Sequence, residues 1–168
     1  DRFKSLPMAR SAVLLGRTIS DMMRNIFVIL LMFGVGYLIG FRIQGSIGDA
    51  VTAFALLLMF GFAFSWISAT IGMAVKSTET AQVAGFIWVF PLVFASSVFV
   101  PIESMPTWLQ RCAEGNPVTR TGDAVRSLLL ANASQFDTAE AVWLSVAWIV
   151  VILSIFMPLA VYLYRRGE

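Results

Sequence analysis

Side chains able to do acid–base, nucleophilic or metal chemistry are scarce in this chain, and the scarcity bounds its function. There is no histidine, and Cys112 is the single cysteine, so a histidine or cysteine metal site, a disulfide framework and the usual catalytic triads are all excluded. Nor is there a G-x-x-x-x-G-K-[ST] loop to cradle a nucleotide's phosphates. What remains is a chemistry of binding and passage, centred on Pro91 in the middle of an apolar run. A proline there removes one backbone hydrogen bond and bends a helix, which lipid tolerates where neighbouring groups satisfy the freed carbonyl. Phe94, Ser96, Ser97 and Phe99 follow it. With Pro91 they form a candidate path for an apolar or amphipathic molecule, although many such kinks are purely structural.

The elements that must position these residues are membrane helices. Hydrophobic residues make up 58% of the 168 and charged residues 13%, against about 25% charged in ordinary soluble domains. Four apolar runs approach or reach the roughly 20 residues a crossing needs, at 26–41, 50–75, 82–100 and 142–164, and none contains Asp, Glu, Lys or Arg. Residues 1–25 read as a cytoplasmic and interfacial lead-in, with Arg10, Arg17 and Arg24 seven residues apart beside an apolar face. Arg2, Lys4, Arg10, Arg17, Arg24, Lys76, Arg165 and Arg166 fall on one side of such a bundle, against Arg42, Arg111, Arg120 and Arg126 on the other. That asymmetry predicts both ends in the cytoplasm and makes the weakly basic balance a matter of topology, not of nucleic-acid binding. Charge-free spans argue against a proton- or ion-driven carrier, so transport work would be powered by another chain. The start at Asp1, polar and without a signal-peptide pattern, reads as the inside of a longer chain.

Small residues recur at four-residue spacing, as Gly36 and Gly40 and as Gly61, Ser65 and Ala69 with Ser68 and Gly72 alongside, which predicts close helix packing. The long connection, 101–141, carries two amphipathic patterns. Met105, Trp108, Leu109, Cys112 and Ala113 make an apolar stripe that Gly115, Asn116 and Pro117 stop. Val118, Val125, Leu128 and Leu129 then oppose Arg120, Asp123 and Arg126. The pair suits a hairpin on or in the outer leaflet, or an ordinary extracellular cap.

The segments "DRFKSLPMARSAVLLGR", "GYLIGFR", "SVFVPIESMPTWLQRCAEGNPVTRTGDAVR" and "YRRGE" together resemble the ABC-2 type permeases, nearest the daunorubicin-resistance-type bacterial exporter subunits. The most specific pieces are Ser5-Leu6-Pro7 and the series Phe99-Val100-Pro101, Met105-Pro106, Asn116-Pro117. The resemblance implies an all-α, polytopic bundle with two further spans upstream, in the bacterial inner membrane. It implies two permease subunits, alike or different, among membrane lipids and bound to ABC ATPase subunits that hold the ATP and magnesium, with no cofactor in this chain. The family's ATPase-facing helix maps onto Arg2, Phe3, Lys4, Ser5, Leu6 and Pro7, with the tight loop holding Lys76, Thr78 and Glu79 as a second contact by position. Its helical hairpin before the last span maps onto Met105–Leu130, including Trp108, Leu109, Asn116 and Pro117. The function so implied is outward movement of a hydrophobic or amphipathic drug or lipid. Export of a polysaccharide or glycolipid and a non-transporting scaffold are the alternatives.

Overall fold

The computed structural model describes residues 10–75, 77–130 and 137–166, and those residues form helices and turns with no strand. Six α-helices follow one another: α1 (Arg10–Ile39), α2 (Ile47–Ala74), α3 (Thr78–Phe94), α4 (Thr107–Glu114), α5 (Pro117–Leu129) and α6 (Thr138–Arg166), with a 3-10 turn at Ile102–Ser104. Three contain apolar stretches long enough to cross a membrane, Ile19–Ile39, Ile47–Ala74 and Thr138–Leu163. Apolar side chains also cover much of the outer surface of these helices and of α3, including Leu38, Ile39, Phe86 and Trp143, as a lipid-facing bundle requires.

Local chemistry fixes the turns. α1 ends in a Schellman motif: Gly40 adopts φ +106°, its N–H reaches the Tyr37 carbonyl, and the Phe41 N–H reaches that of Gly36 at 2.9 Å. Gly40 is therefore a helix stop and not part of a packing seam. α2 starts with a capping box, the Ser46 hydroxyl accepting from the Asp49 N–H while an Asp49 carboxylate oxygen accepts from the Ser46 N–H at 2.8 Å. Ser77 caps α3 in the simpler way, accepting from the Thr80 N–H.

The core lies between α2 and α6, where Leu56, Ala63 and Ile67 meet Ile149 and Ile152, with Phe64 and Trp88 packed at its edge. The buried row of α2 is thus Ala53, Leu56, Ala63, Ile67 and Thr70. The small residues Gly61, Ser65, Ser68 and Ala69 lie elsewhere, along a cavity against α1. A Cβ added at Gly34 or Gly72 would meet nothing within 4 Å, so neither glycine marks a close helix crossing here.

The amphipathic lead-in and the first apolar run are one unbroken helix, and the stretch of span length and composition within it, Ile19–Ile39, takes in Asp21 and Arg24 near its start. The segment 82–100, expected as a span, is not one helix. α3 stops at Phe94 after 17 residues, about 25 Å of rise, and 95–100 turns toward the hairpin.

Candidate functional site

Three backbone carbonyls decide where α3 ends. Pro91 sits one turn from the end and its carbonyl still accepts from the Ala95 N–H at 2.9 Å. The Val93 carbonyl is taken by both the N–H and the hydroxyl of Ser96, the short-range competition by which serine closes a helix. The Leu92 carbonyl has lost its helical donor and is satisfied by the Asn116 side-chain amide, 2.6 Å away. The same Asn116 side chain accepts from the Val118 N–H at 2.9 Å and so caps α5, which continues with Pro117 at its first position. One buried amide thus finishes two helices. Asn116 and Pro117 do stop α4, as their sequence indicates, but the tie to α3 had no sequence signal, since the two ends are 24 residues apart.

From that joint α5 packs among the other helices. Thr121 shares a hydrogen bond of 2.9 Å with Ser145, which lies about 10 Å along α6 from its first residue. At the far end Leu128 and Leu129 pack with Ala53, and the Leu129 carbonyl accepts from the Gln44 N–H at 2.9 Å. Gly45 beside it approaches so closely that an added Cβ would lie 2.2 Å from the Leu128 carbonyl oxygen. The predicted polar side of α5 needs correction: Asp123 is 93% buried, together with Thr119, Thr121 and Ser127. A helix surrounded by other helices has no free face for these groups, so each is matched with a partner. The Ser97 hydroxyl donates to Asp123 at 3.1 Å, the Ser97 N–H donates to the Thr119 hydroxyl at 3.1 Å, and the half-exposed Arg126 reaches Asp123 at 3.4 Å and the Ser97 carbonyl at 3.3 Å. Arg120 instead donates to the Glu114 carbonyl and closes α4.

The predicted path residues therefore separate into two sets. Ser96 and Ser97 are buried in the joint, Ser97 bonded to Thr119 and Asp123 of α5 and bordering the cavity beside them. Phe94 and Phe99 are exposed and stack at 5.5 Å, and Phe90, which the sequence did not single out, stacks on Phe94 at 4.3 Å. This ladder of three rings runs past the exposed Pro91 to a cavity of about 380 Å³ lined by Phe99, Ile102, Glu103, Asp123 and Arg126. Flat aromatic faces leading to a pocket with carboxylates and a guanidinium can hold an amphipathic molecule by stacking and charge. The predicted stripe divides, Met105 before α4 being buried, and within α4 Leu109 half-buried and Trp108 exposed. Arg2–Pro7 and Lys76 lie outside the described residues; Glu79 is exposed in the first turn of α3, which opens with Thr78.

Comparison with known proteins agrees with the sequence resemblance. The chain is 33% identical over 166 residues, 99% of its length and 57% of the relative's, to a daunorubicin resistance ABC transporter permease of Streptomyces coeruleorubidus. It is 26% identical over 126 residues, 74% of the chain and 45% of the relative, to a probable doxorubicin resistance ABC transporter permease of Mycobacterium tuberculosis. A probable multidrug ABC transporter permease of Escherichia coli is 21% identical over 99% of the chain and 44% of the relative. The chain spans about half the length of these curated relatives. No solved structure matches it. The profile of the ABC-2 type transporter family matches residues 1–130, the part that holds α1 to α5 and the joint between α3 and the hairpin, and the chain belongs to that family.

Proposed function

We propose that this chain is the membrane-spanning permease part of an ATP-driven exporter that moves a hydrophobic or amphipathic drug or lipid outward. The observation that carries the reading is the identity, over nearly the whole chain, with a permease named for daunorubicin resistance. The exposed Phe90, Phe94 and Phe99 ladder supports an amphipathic cargo with flat apolar parts. Hydrolysis takes place in partner ATPase subunits, which hold the ATP and magnesium, and a second permease subunit completes the passage. The test is ATP-dependent efflux from proteoliposomes holding the full-length permease with its ATPase. Phe94→Ala with Phe99→Ala should lower efflux several-fold at unchanged protein level, and absence of ATP-dependent efflux by the wild-type complex sinks the reading.

Coupling to the ATPase runs through Arg2–Pro7, with the start of α3 near Glu79 as the second contact. Phe3 and Leu6 lie three apart, so on a helix they would share one face and could fill an apolar notch with Arg2 and Lys4 at its rim. Truncating buried anchors typically costs about 2 kcal/mol or more of binding, whereas rim charges act mainly on association rate. Phe3→Ala with Leu6→Ala should release the ATPase in pull-down and uncouple hydrolysis from efflux, while Lys4→Ala should do little. Wild-type pull-down and efflux in the double variant would move the contact to the Lys76–Glu79 turn.

A further inference from the structure

α3 is held at few points. Among its described residues none is buried as a whole, and the first buried side chains after it are Ser96 and Ser97 of the joint. It packs chiefly on α2, where Trp88 stacks on Phe64 with ring centroids 5.4 Å apart. The Trp88 indole N–H is buried without an acceptor among the described residues, so no hydrogen bond from the indole pins this contact. Toward Thr78 the two helices stand apart, and an apolar groove of about 320 Å³ runs between Ser68 and Ile71 of α2 and Ala81, Gly85 and Phe86 of α3. A Cβ added at Gly85 would meet nothing within 4 Å. Past Trp88 the attachment is polar: the Leu92 carbonyl accepts from the Asn116 amide at 2.6 Å, and Ser97 is bonded to Thr119 and Asp123 at 3.1 Å each. These partners lie on α5 or cap it, and α5 packs against both α2 and α6.

We propose that α3 rocks on the Phe64–Trp88 contact: as its Thr78 end swings into the groove, its far end swings off α5 and opens the joint. Thr78 lies about 15 Å from Trp88 along the helix, and Leu92 lies about 6 Å beyond it. Moving the Thr78 end by about 2.5 Å therefore moves Leu92 by about 1 Å the other way, which takes the Asn116 bond beyond hydrogen-bond range. A wedge of that thickness beneath a helix about 10 Å wide takes roughly 190 Å³, less than the groove provides. A joint made of hydrogen bonds suits such a release, because water at the membrane surface can replace each bond lost, while the apolar contacts of α5 stay buried. Opening parts Ser97 and Phe99 from Asp123 and Arg126, two walls of the cavity at the end of the ring ladder. The rocker rests on the exporter reading, and it gives the motion by which the start of α3 near Glu79 acts on that cavity.

The test measures rates of disulfide formation in the full-length permease with its ATPase in nanodiscs, in a Cys112→Ser background, without nucleotide and with ATP and vanadate. Ser68→Cys with Gly85→Cys spans the groove, and Ser97→Cys with Thr119→Cys spans the joint. Thr121→Cys with Ser145→Cys, between α5 and α6, is the reference. Relative to that reference, ATP and vanadate should change the groove and joint rates in opposite directions, each by about tenfold. Trp88→Ala removes the pivot and should leave the joint rate unresponsive to nucleotide. No change, changes of the same sign, a change confined to one pair, or a joint that still responds in Trp88→Ala overturns the proposal. Ile71→Cys with Ala81→Cys replaces the groove pair, and Ser97→Cys with Asp123→Cys the joint pair, if either fails to fold. If the rates do not move while the wild-type complex exports on ATP, the rocker falls and the exporter reading stands, whereas a wild-type complex without ATP-dependent efflux fails both.

Discussion

At the scale of single residues, the heaviest demand falls on Asn116, whose amide donates to the Leu92 carbonyl and accepts from the Val118 N–H. Leaving a buried polar group without a partner costs about 1–3 kcal/mol, and losing a helix cap about 1 kcal/mol. Asn116→Ser keeps an acceptor for the cap but is too short to reach Leu92, and Asn116→Leu keeps neither bond. Melting temperatures in detergent should fall in the order wild type, serine, leucine, with the leucine variant losing about 2–4 kcal/mol. A serine variant that melts with the wild type would show that the amide ties nothing to α3. The sequence made Asn116 and Pro117 legible as a helix stop and start, because capping is local. It left Asp123 on the wrong side, because a carboxylate next to two arginines reads as solvated until Ser97 and Thr119 are found packed over it.

At the scale of elements, the 3.6-residue pattern located both hairpin helices and the long apolar runs, since burial periodicity and length are written in the chain. The end of α3 was not legible, because Ser96 and Ser97 continue an apolar run while their hydroxyls compete for backbone groups. Spacing alone read the small residues unevenly. Gly61 does admit a close approach, by Asn25 of α1, whereas Gly40 serves a positive φ, and Gly45, which the pattern did not mark, is the one pressed against backbone. A contrast between two glycines tests this. Gly45→Ala must push the 41–46 loop off α5 and should destabilise the protein by about 2 kcal/mol or more, in the range of overpacked sites. Gly72→Ala, inside α2 with open space around it, should stabilise by up to about 1 kcal/mol. Thermal unfolding of both variants decides, and equal shifts would contradict the loop contact.

For the whole molecule, the membrane class followed from composition, whereas the continuity of α1 from Arg10 to Ile39 required the structure. Orientation has a direct test, because Cys112 is the single thiol and is exposed on α4. With both termini cytoplasmic, an impermeant maleimide should label Cys112 in intact cells. Thr78→Cys in a Cys112→Ser background should react only after lysis, and the reverse pattern would invert the bundle.

The embedding of α5 also bears on the order in which the chain is made. Its buried Thr119, Thr121, Asp123 and Ser127 find partners on the 95–100 turn, on α6 and within α5 itself, and α6 is synthesised after α5. During synthesis Thr121 therefore waits unmatched until Ser145 emerges from the ribosome, so full docking of the hairpin is a late step of biogenesis. Chains arrested before Thr138 should leave Thr121→Cys, in the Cys112→Ser background, open to a small thiol reagent. Chains released after Arg166 should protect it, and protection in the arrested chain would mean that α5 docks without α6.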